Sequence, residues 1–301
     1  GKYDEAIAAY DKAIEIDPQD AVAWNNKGLA LSDMGKYDEA IAAYDKAIEI
    51  DPQLAEAWYN KGNALYLQDK YDEAIAAYDK AIEIDPQYAV AWGNKGLALS
   101  DMGKYDEAIA AYDKAIEIDP QLAEAWYNKG NALYLQDKYD EAIAAYDKAI
   151  EIDPQYAVAW GNKGLALSDM GKYDEAIAAY DKAIEIDPQL AEAWFNKGSA
   201  RYEQGKYDEA IRAYDEVIKI DPQYAVAWGN KGLALSDMGK YDEAIAAFDR
   251  AIEIDPEYAM AWYNKADALR MLHRDTEAKA AYTKARELGY SYEMSMMEMT
   301  V

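Results

Sequence analysis

Side chains able to run catalysis are scarce in this sequence: His273 is its single histidine, and it has no cysteine. Adjacent acids such as Asp38 and Glu39 recur, but consecutive residues of a helix do not face each other, so such a pair is a surface feature and not an acid–base couple. No glycine-rich phosphate loop and no metal-ligand spacing appears. The chain reads as a non-enzyme without cofactor or metal. What does recur is a carboxamide: Asn26, Asn60, Asn94, Asn128, Asn162, Asn196, Asn230 and Asn264 stand 34 residues apart. A primary amide carries both donor and acceptor groups. Its chemistry is that of holding another chain.

The elements that position these amides are repeats. Every tryptophan falls on one comb, from Trp24, Trp58 and Trp92 to Trp262, with a constant step of 34 residues, and the prolines from Pro18 to Pro256 form a second comb of the same period. In the unit 21–54, Tyr37, Ala40, Ile41, Tyr44, Ala47 and Ile48 make a helical apolar stripe. Trp24, Gly28, Leu31 and Met34 make a looser one, so each unit holds two helices. Asp17 before Pro18 predicts an N-cap followed by proline at the first helical position, repeated through Asp255 and Pro256. Between the two helices stand Gly35, Gly103, Gly171, Gly205 and Gly239, or Asp69, Asp137 and His273, residue types that tolerate positive φ. A left-handed residue is expected there.

A longer period lies above the first, since residues 54–121 and 122–189 are identical. Units alternate between an AEAWYNKGNALYLQDK type and an AVAWGNKGLALSDMGK type, which makes a pair of units the building block. Duplication explains this, and it also supplies a bland reading of every recurring residue: copies preserve residues that do nothing.

Composition narrows the partners. With 31 basic and 58 acidic residues the net charge is −27, a surface that repels phosphate backbones and excludes nucleic acid. No run of about 18 apolar residues and no signal-like opening appear, so the reading is a soluble protein with no membrane contact and cytoplasm as its default setting. The chain begins at Gly1 without an initiator methionine, which suggests a processed, trimmed or excerpted piece.

With Trp24, Gly28, Ala40, Tyr44 and Pro52 in register, the sequence resembles the tetratricopeptide repeat family, whose 34-residue pattern is WxxLGxxY, AxxxF and P. It departs at Lys27 for leucine, Leu31 for tyrosine and Tyr44 for phenylalanine. The resemblance implies an all-α fold, an α-solenoid in which antiparallel helix pairs stack as a right-handed superhelix. In that frame residues 1–20 are the orphan second helix of a truncated repeat. Eight units follow, at 21–54, 55–88, 89–122, 123–156, 157–190, 191–224, 225–258 and 259–292. Residues 293–301 form a Met-rich tail, suggested to be a vestigial capping helix with Met296 in the tryptophan slot. All of this is expected to make one continuous solenoid domain.

The resemblance also implies a site. In the family, positions 2, 5, 6, 9, 12 and 13 of each unit line a concave wall; here one unit type offers Glu56, Tyr59, Asn60, Asn63, Tyr66 and Leu67, the other Val90, Gly93, Asn94, Leu97, Ser100 and Asp101. The candidate peptide-binding residues are Asn60, Asn94, Asn128, Asn162, Asn196 and Asn230, whose amides can grip the main chain of an extended peptide, with Asn63, Asn131 and the rings of Tyr59, Tyr66, Tyr127 and Tyr134. Packing against the neighbouring first helix is the equal alternative for the rings. The family's clamp for a C-terminal carboxylate lacks its cations here, since Lys27, Lys61 and their equivalents occupy a usually buried position from which they are expected to snorkel to an edge. The wall is weakly acidic through Glu56, Asp101, Glu124 and Asp169, which favours a neutral or basic peptide segment. Self-association through open solenoid ends or the tail is the competing reading. Gly93 and Gly161 share position 5 with Tyr59 and Tyr127, so they either open pockets for a ligand or make room for Tyr88 and Tyr156, five residues earlier.

Overall fold

The computed structural model describes residues 2–290. The tail at 293–301 and the capping helix suggested for it lie outside the described residues. Contacts divide the chain into two compact units, 1–154 and 155–301.

The first unit contains α1 (Lys2–Ile16), α2 (Ala21–Asp33), α3 (Tyr37–Ile50), α4 (Ala55–Tyr66), α5 (Tyr71–Ile84), α6 (Ala89–Asp101), α7 (Tyr105–Ile118), α8 (Ala123–Tyr134) and α9 (Tyr139–Ile152). The second contains α10 (Ala157–Asp169), α11 (Tyr173–Ile186), α12 (Ala191–Glu203), α13 (Tyr207–Ile220), α14 (Ala225–Asp237), α15 (Tyr241–Ile254), α16 (Ala259–Met271) and α17 (Asp275–Glu287). Among the described residues the chain is thus all-α. Within each unit every helix packs on the next, and first helices also touch one another, as α4 touches α2 and α6. This pairwise packing is that of a tetratricopeptide solenoid.

The core is built from alanine and one large ring per repeat. In α5, Ala74, Ala77 and Ala81 are buried and Tyr78 is 1% exposed. The ring lies flat against the first helix of its own repeat because that helix has no Cβ at Gly62: a Cβ there would stand 2.5 Å from Tyr78 Cε1. Gly28 faces Tyr44 and Gly96 faces Tyr112 in the same way. The helix-weakening glycine of the tryptophan motif is therefore required by close approach.

Both turns of the repeat have a local cause. Gly35 has φ 74°, Asp69 58°, Asp137 59° and His273 58°, as the residue types led us to expect. The turn closes with Lys36 N–H on the Leu31 carbonyl at 3.0 Å and Gly35 N–H on that of Ser32 at 2.8 Å, a Schellman pattern. The expectation for Asp-Pro is corrected. Helix α4 starts three residues after Pro52, behind Leu54, which makes no side-chain cap. Asp51 instead ends α3, and its Oδ1 accepts the Gln53 N–H at 2.9 Å. The carboxylate satisfies a backbone donor in both arrangements, but here it does so inside an Asx turn whose next residue is preset by proline. Among the described residues only Asp20 caps a first helix through its side chain, accepting from Ala23 N–H at 3.0 Å. The tryptophan comb holds this turn: Trp58 Nε1 donates to the Pro52 carbonyl at 3.2 Å and Trp126 Nε1 to that of Pro120 at 3.3 Å.

Candidate functional site

The wall positions prove to be neighbours across first helices, and hydrogen bonds show how. Asn94 on α6 uses both amide protons toward α4, donating to Asn63 Oδ1 at 2.9 Å and to Tyr59 Oη at 3.1 Å. Asn63 also accepts from the buried Tyr78 Oη at 2.9 Å. One step along the face, Tyr66 Oη donates to Asp101 at 2.5 Å. Burial first and this bond second push the Tyr66 phenol above its ordinary range. In the second unit Tyr202 donates to Asp237 in the same way.

The position-6 asparagines therefore differ. Asn60 is buried, 6% exposed, and donates to Asn25 Oδ1 at 3.0 Å. Asn94 keeps only its carbonyl oxygen available. Asn230 faces the Tyr214 phenol, and Asn162 and Asn131 have partners, Asn131 accepting from Tyr146 Oη at 2.8 Å. Asn128 and Asn196 are half-buried and have no hydrogen-bond partner among the described residues. A uniform ladder of free amides is not what these bonds leave.

The tyrosines are shared between packing and surface. Tyr59 lies 5.0 Å from Tyr88 and 6.0 Å from Tyr78, centroid to centroid, and Phe195 lies 5.4 Å from Tyr224. Tyr66 packs on Tyr71, Tyr127 on Tyr146 and Tyr134 on Tyr139. The rings of Tyr59, Tyr66, Tyr127 and Tyr134 are half-buried. Burial, with the Tyr59 phenol next, raises Tyr88 to about 12.

Gly93 and Gly161 stand open. A Cβ built at either would meet nothing within 4 Å. The volume-exchange reading with Tyr88 and Tyr156 is thereby corrected, because position 5 meets the last residue of its own repeat, 29 residues on, and not the residue five before. Tyr59 meets Tyr88 by this rule, and at Gly229 a Cβ would stand 2.8 Å from Tyr258 Cε1. The chain returns over its first helix only after completing the second, which spacing along the sequence does not display.

Exposed aliphatics complete the face. Leu67 and Leu135 are just over half exposed, and Val90, Val158 and Val226 are exposed too. Glu56, Asp101, Glu124 and Asp169 are exposed acids there. Among the six wall positions of the eight repeats the sequence places one cation, Arg270. The repeated lysines point elsewhere. Lys61 Nζ is 2.7 Å from Asp45 of α3 and 5.7 Å from the Trp58 ring, and Lys95 pairs with Asp79 at 2.6 Å. They tie each first helix to the preceding second helix at an edge, a network that lysine spacing alone did not reveal.

Comparison with known proteins agrees with this architecture. The family model described as Tetratricopeptide repeat matches residues 25–89, 94–157 and 162–225, with further repeat models over 1–35, 77–110, 145–178, 225–258 and 247–280. Among solved structures the chain is similar to YrrB, described as a TPR protein with an unusual peptide-binding site, at 29% identity and TM-score 0.54 over 63% of this chain and 97% of that one. MamA matches at 32% identity and TM-score 0.51, covering 55% of this chain and 96% of its own. A tetratricopeptide repeat protein from Parabacteroides merdae shares the fold at 18% identity and TM-score 0.61, over 80% and 95%. Comparison with curated proteins gives no match.

Proposed function

The chain belongs to the tetratricopeptide repeat family, and from that premise we propose that it is a scaffold whose first-helix face binds an extended or helical peptide segment of another protein. The family's general role is protein or peptide binding. No helix among the described residues is long and apolar enough to cross a membrane, and a cytoplasmic setting is part of the proposal.

One observation carries the reading: the first-helix face combines exposed Leu67, Leu135 and Val90 with exposed Glu56, Glu124 and Asp101, while the Tyr66 hydroxyl and the Asn94 amide protons are committed internally. Such a face accepts hydrogen bonds and offers few. It suits a segment rich in donors, with lysine or arginine between apolar residues. Capture of a randomised peptide pool, with sequencing of the retained fraction, tests this. Enrichment of basic and apolar residues is expected, and Glu56→Lys with Glu124→Lys should weaken retention by roughly tenfold or more at low salt without changing helicity. Enrichment of acidic peptides, or indifference to the charge reversals, would remove the proposal.

A second reading rests on α1, none of whose residues is buried and whose Ile16 is 86% exposed. That surface suits association of the chain with itself. Light scattering over a range of concentrations checks it, and a constant monomer mass would rule it out.

A further inference from the structure

The two junction types of the array differ in what satisfies the position-6 amide. Asn94 is satisfied by Tyr59 Oη and Asn63 Oδ1 of the preceding repeat. One repeat later, the register places Gly93 and Leu97 where Asn128 would need those groups, and neither side chain can accept a hydrogen bond. Gly161 and Leu165 stand in the same relation to Asn196. The consequence is observed: Asn128 and Asn196 have no partner among the described residues, and above Gly93 and Gly161 there is open space.

The chain itself shows what fills such a space. At Gly229 the ring of Tyr258 lies over the glycine, its Cε1 2.8 Å and its Oη 3.0 Å from where a Cβ would stand. The residues in register with Tyr258 in the two open repeats are Leu122 and Leu190, which have no ring and no hydroxyl. Each open repeat therefore lacks an aromatic ring and an oxygen acceptor, and keeps an apolar residue and an idle amide.

The geometry points to two subsites, Gly93 with Asn128 and Gly161 with Asn196, that each take a tyrosine side chain of a bound partner segment. The ring lies over the glycine beside the leucine, as Tyr258 does over Gly229, and the phenol oxygen accepts from the asparagine amide as Tyr59 Oη does from Asn94. This deepens the peptide-binding reading and rests on it for the identity of the ligand as a peptide. It also gives the helix-weakening glycine a use, since any larger residue at position 5 fills the space the ligand ring needs.

The test uses the full chain and N-acetyl-L-tyrosinamide as probe, followed through the side-chain amide resonances of asparagine. Asn128 and Asn196 should shift and saturate while Asn94 stays, and N-acetyl-L-phenylalaninamide, lacking the acceptor, should bind roughly tenfold more weakly. Gly93→Tyr with Gly161→Tyr should abolish the shifts while the chain melts no earlier. Equal binding of the two probes, or shifts that survive the tyrosine replacements, would overturn the subsites. Retention of the peptide pool is read separately: a chain that retains peptides without shifts at Asn128 loses the subsites alone, and one that shows the tyrosinamide shifts without retaining peptides loses the groove reading alone.

Discussion

The junction between repeats 55–88 and 89–122 and the junction between 89–122 and 123–156 are built from nearly the same letters, yet they are held differently. The first is tied along the first-helix face, by Asn94 on Tyr59 and Asn63 and by Tyr66 on Asp101. The second has none of these bonds at Asn128 among the described residues, and is tied on its other side, where Gln136 Nε2 donates to Asp106 at 2.9 Å. Across residues 55–156 the change of sequence thus becomes one sealed joint and one open joint. A closed polar network costs little and fixes register, whereas an amide left idle at a half-exposed site waits for a partner.

The largest effect expected from breaking the sealed joint is at Asn63. Asn63→Ala orphans the buried Tyr78 hydroxyl and one Asn94 proton together, at a cost of about 2–3 kcal/mol. Chemical denaturation analysed with nearest-neighbour coupling measures it, and a cost below about 0.5 kcal/mol would show the network to be dispensable. Two glycines three residues apart on α6 then give opposite signs. Gly93→Ala should stabilise by up to about 1 kcal/mol, because the added methyl meets nothing and the helix gains propensity. Gly96→Ala should destabilise by about 1–3 kcal/mol, because its Cβ would stand 2.6 Å from Tyr112 Cε1. Thermal melts of the two variants decide both, and equal signs would contradict the packing described.

Alkali offers a subtler distinction. Tyr88 seals the first joint from an environment that raises its phenol from 10.0 to about 12, while Leu122 holds the matching place in the next repeat. The folded form favours the neutral phenol, so this contribution is complete below pH about 10 and is lost as pH rises through about 12. Stability measured across that window should fall less steeply in Tyr88→Leu than in the parent chain. The smallest effect should be blind to joint type. Lys61→Gln and Lys95→Gln remove partly exposed ion pairs to Asp45 and Asp79 and should each cost about 0.2–1 kcal/mol.

Much of this was legible beforehand. Period, helix pairs and the left-handed turn residues followed from the tryptophan and proline combs and from Gly35, Asp69 and His273, because local sterics decide them. Asp51 was misread as a helix cap, since an aspartate before proline satisfies a backbone donor equally well in an Asx turn. The neighbour of position 5 was misplaced because sequence displays the residue five before it, while the fold returns the residue 29 later, as Tyr88 over Tyr59 and Tyr258 over Gly229. The division of the asparagines into bonded and idle members was invisible for a deeper reason. Asn94 and Asn128 sit in almost identical words, WGNKG and WYNKG, and their difference lies in the preceding repeat, in Tyr59 against Gly93 and Asn63 against Leu97.

The most direct measurement compares Asn94→Ala with Asn128→Ala by chemical denaturation under identical conditions. Loss of the bonded amide should cost about 1–2 kcal/mol, and loss of the idle one less than about 0.5 kcal/mol. Equal costs at the two positions would contradict the contrast of a sealed joint and an open one.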